Sequence, residues 1–102
     1  MERQPYDRFM IKINSGKLTD AQRILKNHPD INISTNNEYA FRTACENGHL
    51  QVAQWLYQSK PTLDISAQNE WAFRTACENC YLNVAQWLYE VKPTLNISAD
   101  NE

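Results

Sequence analysis

The chain is short of the residues that make tight turns, with two glycines and four prolines in 102 residues. A β-sandwich or barrel draws heavily on both, so the shortage tilts the chain toward helix. Two glycines also cannot build a glycine-rich phosphate loop. No apolar run approaches the roughly 18 residues that a bilayer span needs. The opening residues, Met1 to Pro5, are polar, and no signal peptide is visible there. Charge of one sign is lacking too. The formal net charge is −2 and the isoelectric point about 5.6, which gives no global electrostatic reason to expect a nucleic-acid or membrane-surface partner. Cysteines are few and odd in number: Cys45, Cys77 and Cys80. Without secretory features they read as reduced thiols in a cytosol-like compartment. What is present is enough apolar residue, 42%, to build a core, in a length that suits a single domain.

That domain is repetitive. Aligning Tyr39–Glu70 with Trp71–Glu102 gives 24 identities in 32 positions, including Ala40 to Asn47 against Ala72 to Asn79 and Val52 to Tyr57 against Val84 to Tyr89. The differing pairs are 39/71, 48/80, 49/81, 51/83, 58/90, 59/91, 64/96 and 68/100. Residues 7–38 are a diverged copy at the same offset, with ten identities that include Phe9, Gly16, Leu18, Ala21 and Pro29. The expected organisation is therefore a leader, 1–6, and three units, 7–38, 39–70 and 71–102, in one domain.

Two helices are legible in each unit. Ala40, Phe41, Ala44 and Cys45 form one apolar face over two turns. Asn47-Gly48 ends that helix, Gly suiting the left-handed position after it. Leu50, Val52, Ala53, Trp55, Leu56 and Tyr57 make a second helix, with Lys60 near its C-terminal end and Pro61 stopping it. Leu63-Asp64-Ile65-Ser66 then alternates apolar and polar, and Gln68-Asn69-Glu70 reads as a turn into the next unit. Such a unit cannot bury its apolar face alone; stacking neighbours does so. The expected fold is an all-α solenoid of three stacked helix-turn-helix units with short connectors.

Ala44-Cys45 followed by Gly48-His49-Leu50 and Val52-Ala53 resembles the ankyrin repeat. The fuller phrase Ala-Phe-Arg-Thr-Ala-Cys-Glu-Asn-Gly-His-Leu, with Val-Ala-Gln-Trp-Leu after it, is similar to the divergent ankyrin-repeat proteins encoded by giant viruses of amoebae. The resemblance covers residues 7–102. It implies a non-enzymatic scaffold without cofactor, binding a protein partner through a concave face. The viral likeness further implies a host-directed role in the amoebal cytoplasm, such as an adaptor. Departures from the family pattern are visible. Tyr39-Ala40-Phe41-Arg42 replaces the usual Thr-Pro-Leu-His, and the second helix looks about two residues longer. The finger between Ile65 and Trp71 looks about three residues shorter and lacks its glycine, so a finger-based binding mode is in doubt. Gly48 becomes Cys80 in the third unit, which costs on the order of 1 kcal/mol if positive φ is still required there.

The residues expected to meet a partner are Tyr39, Arg42, Glu46, Gln68, Trp71, Arg74 and Glu78. Tyr39 and Trp71 begin the first helices, and exposed aromatics make good anchors; packing between units is the other reading. Arg42 and Arg74 form either a cationic ladder for an acidic partner or, as the plainer reading, pairs with Glu46 and Glu78 one helical turn on. Trp55, Trp87, Tyr57 and Tyr89 read as packing between units, and His49 as a structural hydrogen-bonding residue. Cys77 and Cys80 make a Cys-x-x-Cys, and a small metal or redox protein is the rival this raises. Cys77 merely repeats Cys45, and no further ligand pair completes a zinc site. A tetratricopeptide-type repeat is a poorer match, because its 34-residue period does not fit a unit of 32.

The first unit carries Lys12, Asp20 and Arg23 where the second has Ala44, Val52 and Trp55, as a charged cap would. The third keeps Val84 and Trp87, so its outer face is expected to be sticky. That face would continue into further repeats, self-associate or meet a partner. A structural or non-functional fragment of a longer array is accordingly a further alternative.

Overall fold

The helices fall where the 32-residue pattern puts them. The structure, a computed structural model, describes residues 4–92. Leader residues 1–3 and the third connector, 93–102, lie outside the described residues. The elements are α1 (Pro5–Asn14), α2 (Leu18–Asn27), α3 (Thr35–Glu46), α4 (Leu50–Ser59), α5 (Ala67–Glu78) and α6 (Leu82–Val91), with no strand among the described residues.

Each pair of helices is joined by the same hydrogen-bonded turn. In the second unit Gly48 N–H donates to the Cys45 carbonyl (3.1 Å) and His49 N–H to the Ala44 carbonyl (2.8 Å). This is the Schellman arrangement, which satisfies orphan carbonyls at a helix end and needs a left-handed residue. Gly16 and Gly48 supply that residue, at φ +72° and +75°. Cys80 holds the same bonds in the third unit at φ +63°, so the positive φ is still required there.

The first helices form the spine, α1 against α3 and α3 against α5, and each second helix packs on its own partner. Phe9, Phe41, Ile13, Val52, Leu56, Val84 and Leu88 are fully buried along this stack. Tryptophan couples the units. Trp55 lies 6.2 Å from Phe9, Trp87 6.2 Å from Phe41 and 6.0 Å from Tyr57. Trp55, Trp87 and Tyr57 are thus inter-unit packing, as their spacing suggests. Tyr89 is not: it is 47% exposed. His49 donates from Nε2 to the Asn14 carbonyl at 3.0 Å, and Asn47 donates to Asn14 Oδ1 at 3.0 Å, so both stitch the second unit to the first.

At the first unit the charged cap is in place. Asp20 stands 3.7 Å from Lys12 and 3.7 Å from Arg23. Partly exposed pairs of this kind add little stability. Their effect is to keep an outer face wet that in later units is apolar.

The connectors are tighter than a hairpin finger. Asn36, Asn37 and Glu38 hold φ of +58°, +59° and +64°, and Gln68 and Glu70 repeat this at +59° and +62°. A left-handed turn thus opens α3 and α5, and right-handed helix starts at Tyr39 and after Glu70. Asparagine tolerates this region; glutamate and glutamine do so at a cost of about 1–2 kcal/mol each. Tertiary bonds hold the turn. Buried Glu38 accepts at Oε2 from Asp64 N–H (3.0 Å). Lys60 Nζ donates to Ser34 Oγ (2.7 Å), and Lys92 bonds Ser66 in the same way.

Candidate protein-binding surface

The first helices present α1, α3 and α5 side by side, so residues 32 apart line up in rows. One row alternates ring and cation. The Arg42 guanidinium carbon lies 5.5 Å from the Tyr39 ring centre and 5.8 Å from that of Trp71. The Arg74 guanidinium carbon lies 5.6 Å from the Trp71 ring centre as well. Tyr39, Arg42, Trp71 and Arg74 therefore form one continuous column. Contacts of this kind add about 0.5–1 kcal/mol each at exposed sites.

Arg42 does not pair with Glu46, contrary to the plainer sequence reading. Its Nε donates to the Asn37 carbonyl (2.9 Å) and its Nη2 to the Asn36 carbonyl (3.0 Å). The planar fork reaches back across the left-handed turn and holds the Asn36 and Asn37 carbonyls. Carbonyls 5 and 6 residues upstream take the guanidinium in place of a carboxylate one turn downstream, because the left-handed turn folds its backbone back to the side chain and both N–H groups of the fork find an acceptor there. The cation is then a brace whose faces remain available to rings, less a free ladder rung.

Of the other expected residues, Tyr39 is exposed, and Trp71 and Arg74 are half-buried. The Trp71 indole N–H is buried without a partner. Gln68 is exposed in the left-handed turn beside this column. Glu46 is half-buried and Glu78 exposed, both at helix ends; Asn79 Nδ2 donates to the Glu46 carbonyl (3.0 Å). They stand at the opposite end of α3 and α5 from the column's start, so the seven residues edge one surface without converging on one point.

The surface also extends further toward the first unit than the sequence reading placed it. Met10, Ile11, Asn14, Ser15, Tyr39 and Thr43 line a shallow, mainly apolar cleft of about 220 Å³, and Ile11 is 42% exposed. The repeat register was the available signal. Met10 sits at the position of Arg42 and Arg74, and Ile11 at that of Thr43 and Thr75, so the cationic row turns apolar at its first member.

The cysteines offer little chemistry. Burial pushes the Cys45 thiol far up. Cys77 is raised as well, by desolvation and then by the Glu78 charge, away from the thiolate that redox exchange requires. Among the described residues, no group of three or more histidine, cysteine, aspartate or glutamate side chains could hold a metal ion.

A stack of helix pairs joined by identical turns, with its conspicuous surface on the first helices, defines a repeat solenoid. Its family description is Ankyrin repeats (3 copies), matched over residues 9–99, and the chain belongs to the ankyrin-repeat family. No curated protein and no solved structure matches it. No helix among the described residues is long and apolar enough to cross a membrane.

Proposed function

We propose that the chain is a non-enzymatic scaffold that binds a protein partner through the face formed by α1, α3 and α5 and the left-handed connectors. The observation that carries this reading is the Tyr39–Arg42–Trp71–Arg74 column beside the apolar cleft at Met10, Ile11 and Tyr39. Aromatic and arginine side chains held rigid on helices lose little entropy on binding and dominate interface energetics. An acidic or aromatic segment suits this surface: carboxylates meet the edge of the arginine-bearing column, and an apolar side chain enters the cleft. Glu46, Gln68 and Glu78 form its polar rim. Residues 7–38, 39–70 and 71–102 act as one domain in this reading.

The likeness to giant-virus ankyrin proteins supports a host-directed adaptor in the amoebal cytoplasm, and reduced cysteines suit that compartment. The test is capture from amoebal extract by the wild-type chain, by Tyr39→Ser/Arg74→Glu, and by a control changed at Lys26 and Gln22 on α2. A specific partner lost with the first variant and kept with the control supports the surface. A partner retained by Tyr39→Ser/Arg74→Glu, at wild-type affinity, removes it. The expected self-association through the third unit concerns a separate face.

A further inference from the structure

The turn between paired helices occurs three times among the described residues, and in one of them it carries a reactive pair. The residues at its centre are Ser15-Gly16, Asn47-Gly48 and Asn79-Cys80. All three turns make the same backbone bond, from the N–H of residue 16, 48 or 80 to the carbonyl three residues back. Only the second places an asparagine amide before a glycine nitrogen. The Cγ of an asparagine is an electrophile within reach of the next backbone nitrogen, and glycine, without a Cβ, hinders that attack least. Asn47-Gly48 is the one Asn-Gly pair in the chain.

The folded turn holds this pair out of reaction. A five-membered ring closes only when the Gly48 nitrogen eclipses Asn47 Cβ. At an Asn47 ψ of +6° that nitrogen eclipses the Asn47 nitrogen instead. The Gly48 N–H is donated to the Cys45 carbonyl (3.1 Å). The amide that would depart is held twice, Nδ2 donating to the Thr43 carbonyl (3.0 Å) and to Asn14 Oδ1 (3.0 Å). Asn47 and Gly48 are half-buried and Asn14 is exposed, and turns near solvent open most readily. The same amide links the second unit to the first, so its loss is felt at the junction. A carboxylate at position 47 only accepts. Asn14 can turn its own amide to donate, but the Thr43 carbonyl cannot. The new charge also stands at the negative end of α3. An isoaspartate there lengthens the main chain by one carbon inside a turn whose Gly48 and His49 N–H groups must meet the Cys45 and Ala44 carbonyls. His49 carries the other link to the first unit, on the Asn14 carbonyl.

We propose that Asn47-Gly48 is a site of non-enzymatic deamidation, gated by opening of the second unit's turn, whose products uncouple the first unit from the rest of the stack. In the open turn solvent base takes the Gly48 N–H proton, the nitrogen bonds to Asn47 Cγ, and the Cγ–Nδ2 bond breaks to release ammonia. Water then opens the resulting succinimide at one carbonyl to give aspartate, or at the other to give isoaspartate. Water is the one co-reactant, and nothing is oxidised or reduced. The step is one-way, because the ammonia is lost to solvent.

The test uses the full chain, incubated at mildly alkaline pH both folded in buffer and unfolded in guanidinium chloride. Peptide mass spectrometry follows every asparagine and scores isoaspartate separately. Unfolded, Asn47 is expected to react faster than every other asparagine. Folding is expected to slow it about tenfold or more, since only the open fraction reacts, with Asn47 still the first site converted. Cys80→Gly makes a second Asn-Gly pair, so Asn79 of that variant should match Asn47 in the unfolded chain. Asn47→Asp supplies one product directly. Its amide-exchange protection is expected to fall about tenfold in α1 and α2 while α5 is unchanged, the effect of an inter-unit hydrogen bond lost and a carbonyl left facing a charge. Should that variant not fold, the deamidated fraction separated from folded wild type by ion exchange gives the same reading. Four results overturn the proposal: an unfolded rate at Asn47 no higher than at the other asparagines, a folded rate equal to the unfolded one, a folded chain in which Asn47 is not converted or not first, or deamidated chain whose α1 and α2 protection matches the wild type.

Discussion

Replacing Arg42 tests whether it is a brace or a surface charge. Arg42→Ala removes two charge-assisted bonds, to Asn37 and Asn36, and two ring contacts, with Tyr39 and Trp71. Hydrogen bonds from a charged donor contribute about 1.5–3 kcal/mol when well shielded, but Arg42 is half-exposed, so roughly 1 kcal/mol each is the discounted figure. Adding about 0.5 kcal/mol for each exposed ring contact brings the expected loss to about 3 kcal/mol. The left-handed turn then loses its anchor while its strain stays. Arg42→Lys keeps the charge without the planar fork, so it should recover no more than about 1 kcal/mol. Glu46→Ala should change stability by less than about 0.5 kcal/mol, as an ordinary surface change does. Urea unfolding followed by far-UV circular dichroism reads all three at constant m-value. A cost below about 0.5 kcal/mol for Arg42→Ala, or a Glu46→Ala cost matching it, would refute the brace and restore the one-turn ion pair.

The other predictions concern turns and thiols. Cys80→Gly relieves a positive φ in open space and should stabilise by about 1 kcal/mol, whereas Gly48→Ala adds the same strain and a 2.7 Å contact with the Tyr81 ring, costing upwards of about 2 kcal/mol; Tyr81→Ala in the second background should return part of that loss in the same urea assay. Gln68→Gly should stabilise by about 0.5–1 kcal/mol, because its side chain is exposed and only its φ of +59° matters; an unchanged midpoint would show that the turn is not left-handed in solution. The buried Cys45 thiol is raised by desolvation above an unfolded value of about 8.5. A raised folded value means that its stabilisation is complete below about pH 8.5 and falls by up to about 1.4 kcal/mol per pH unit above it. Cys77, also raised, adds a smaller slope of the same sign. Urea midpoints between pH 8 and 10 should show this decline in the wild type and a shallower one in Cys45→Ala; equal slopes would contradict the assignment.

How much of this was legible follows from what a repeat pattern records. The helices, their turns and the stacking residues were readable because each must serve the same purpose at every 32-residue step, so Phe41, Trp55 and Gly48 have counterparts or informative replacements. Cys80 illustrates this: its place opposite Gly48 announced a strained φ, and φ is +63°. Arg42 was misread because one-turn charge pairs are local and visible, whereas its partners are carbonyls of a left-handed turn that no side-chain pattern encodes. The same blindness hid Lys60 on Ser34 and Glu38 on Asp64, each 26 residues apart, although the recurrence of Ser66 and Lys92 was a usable sign. The cleft at Met10 and Ile11 went unnoticed for the opposite reason. The first unit diverges, and divergence there looked like capping alone. Yet capping accounts only for Lys12, Asp20 and Arg23, which meet one another at the outer face. Met10 and Ile11 occupy the registers of Arg42 and Thr43, on the inner row, where no cap is needed. Met10 packs in part against the core, whereas Ile11 is 42% exposed, so the stack accounts for the first apolar side chain better than for the second, and it is Ile11 that the proposed binding surface uses.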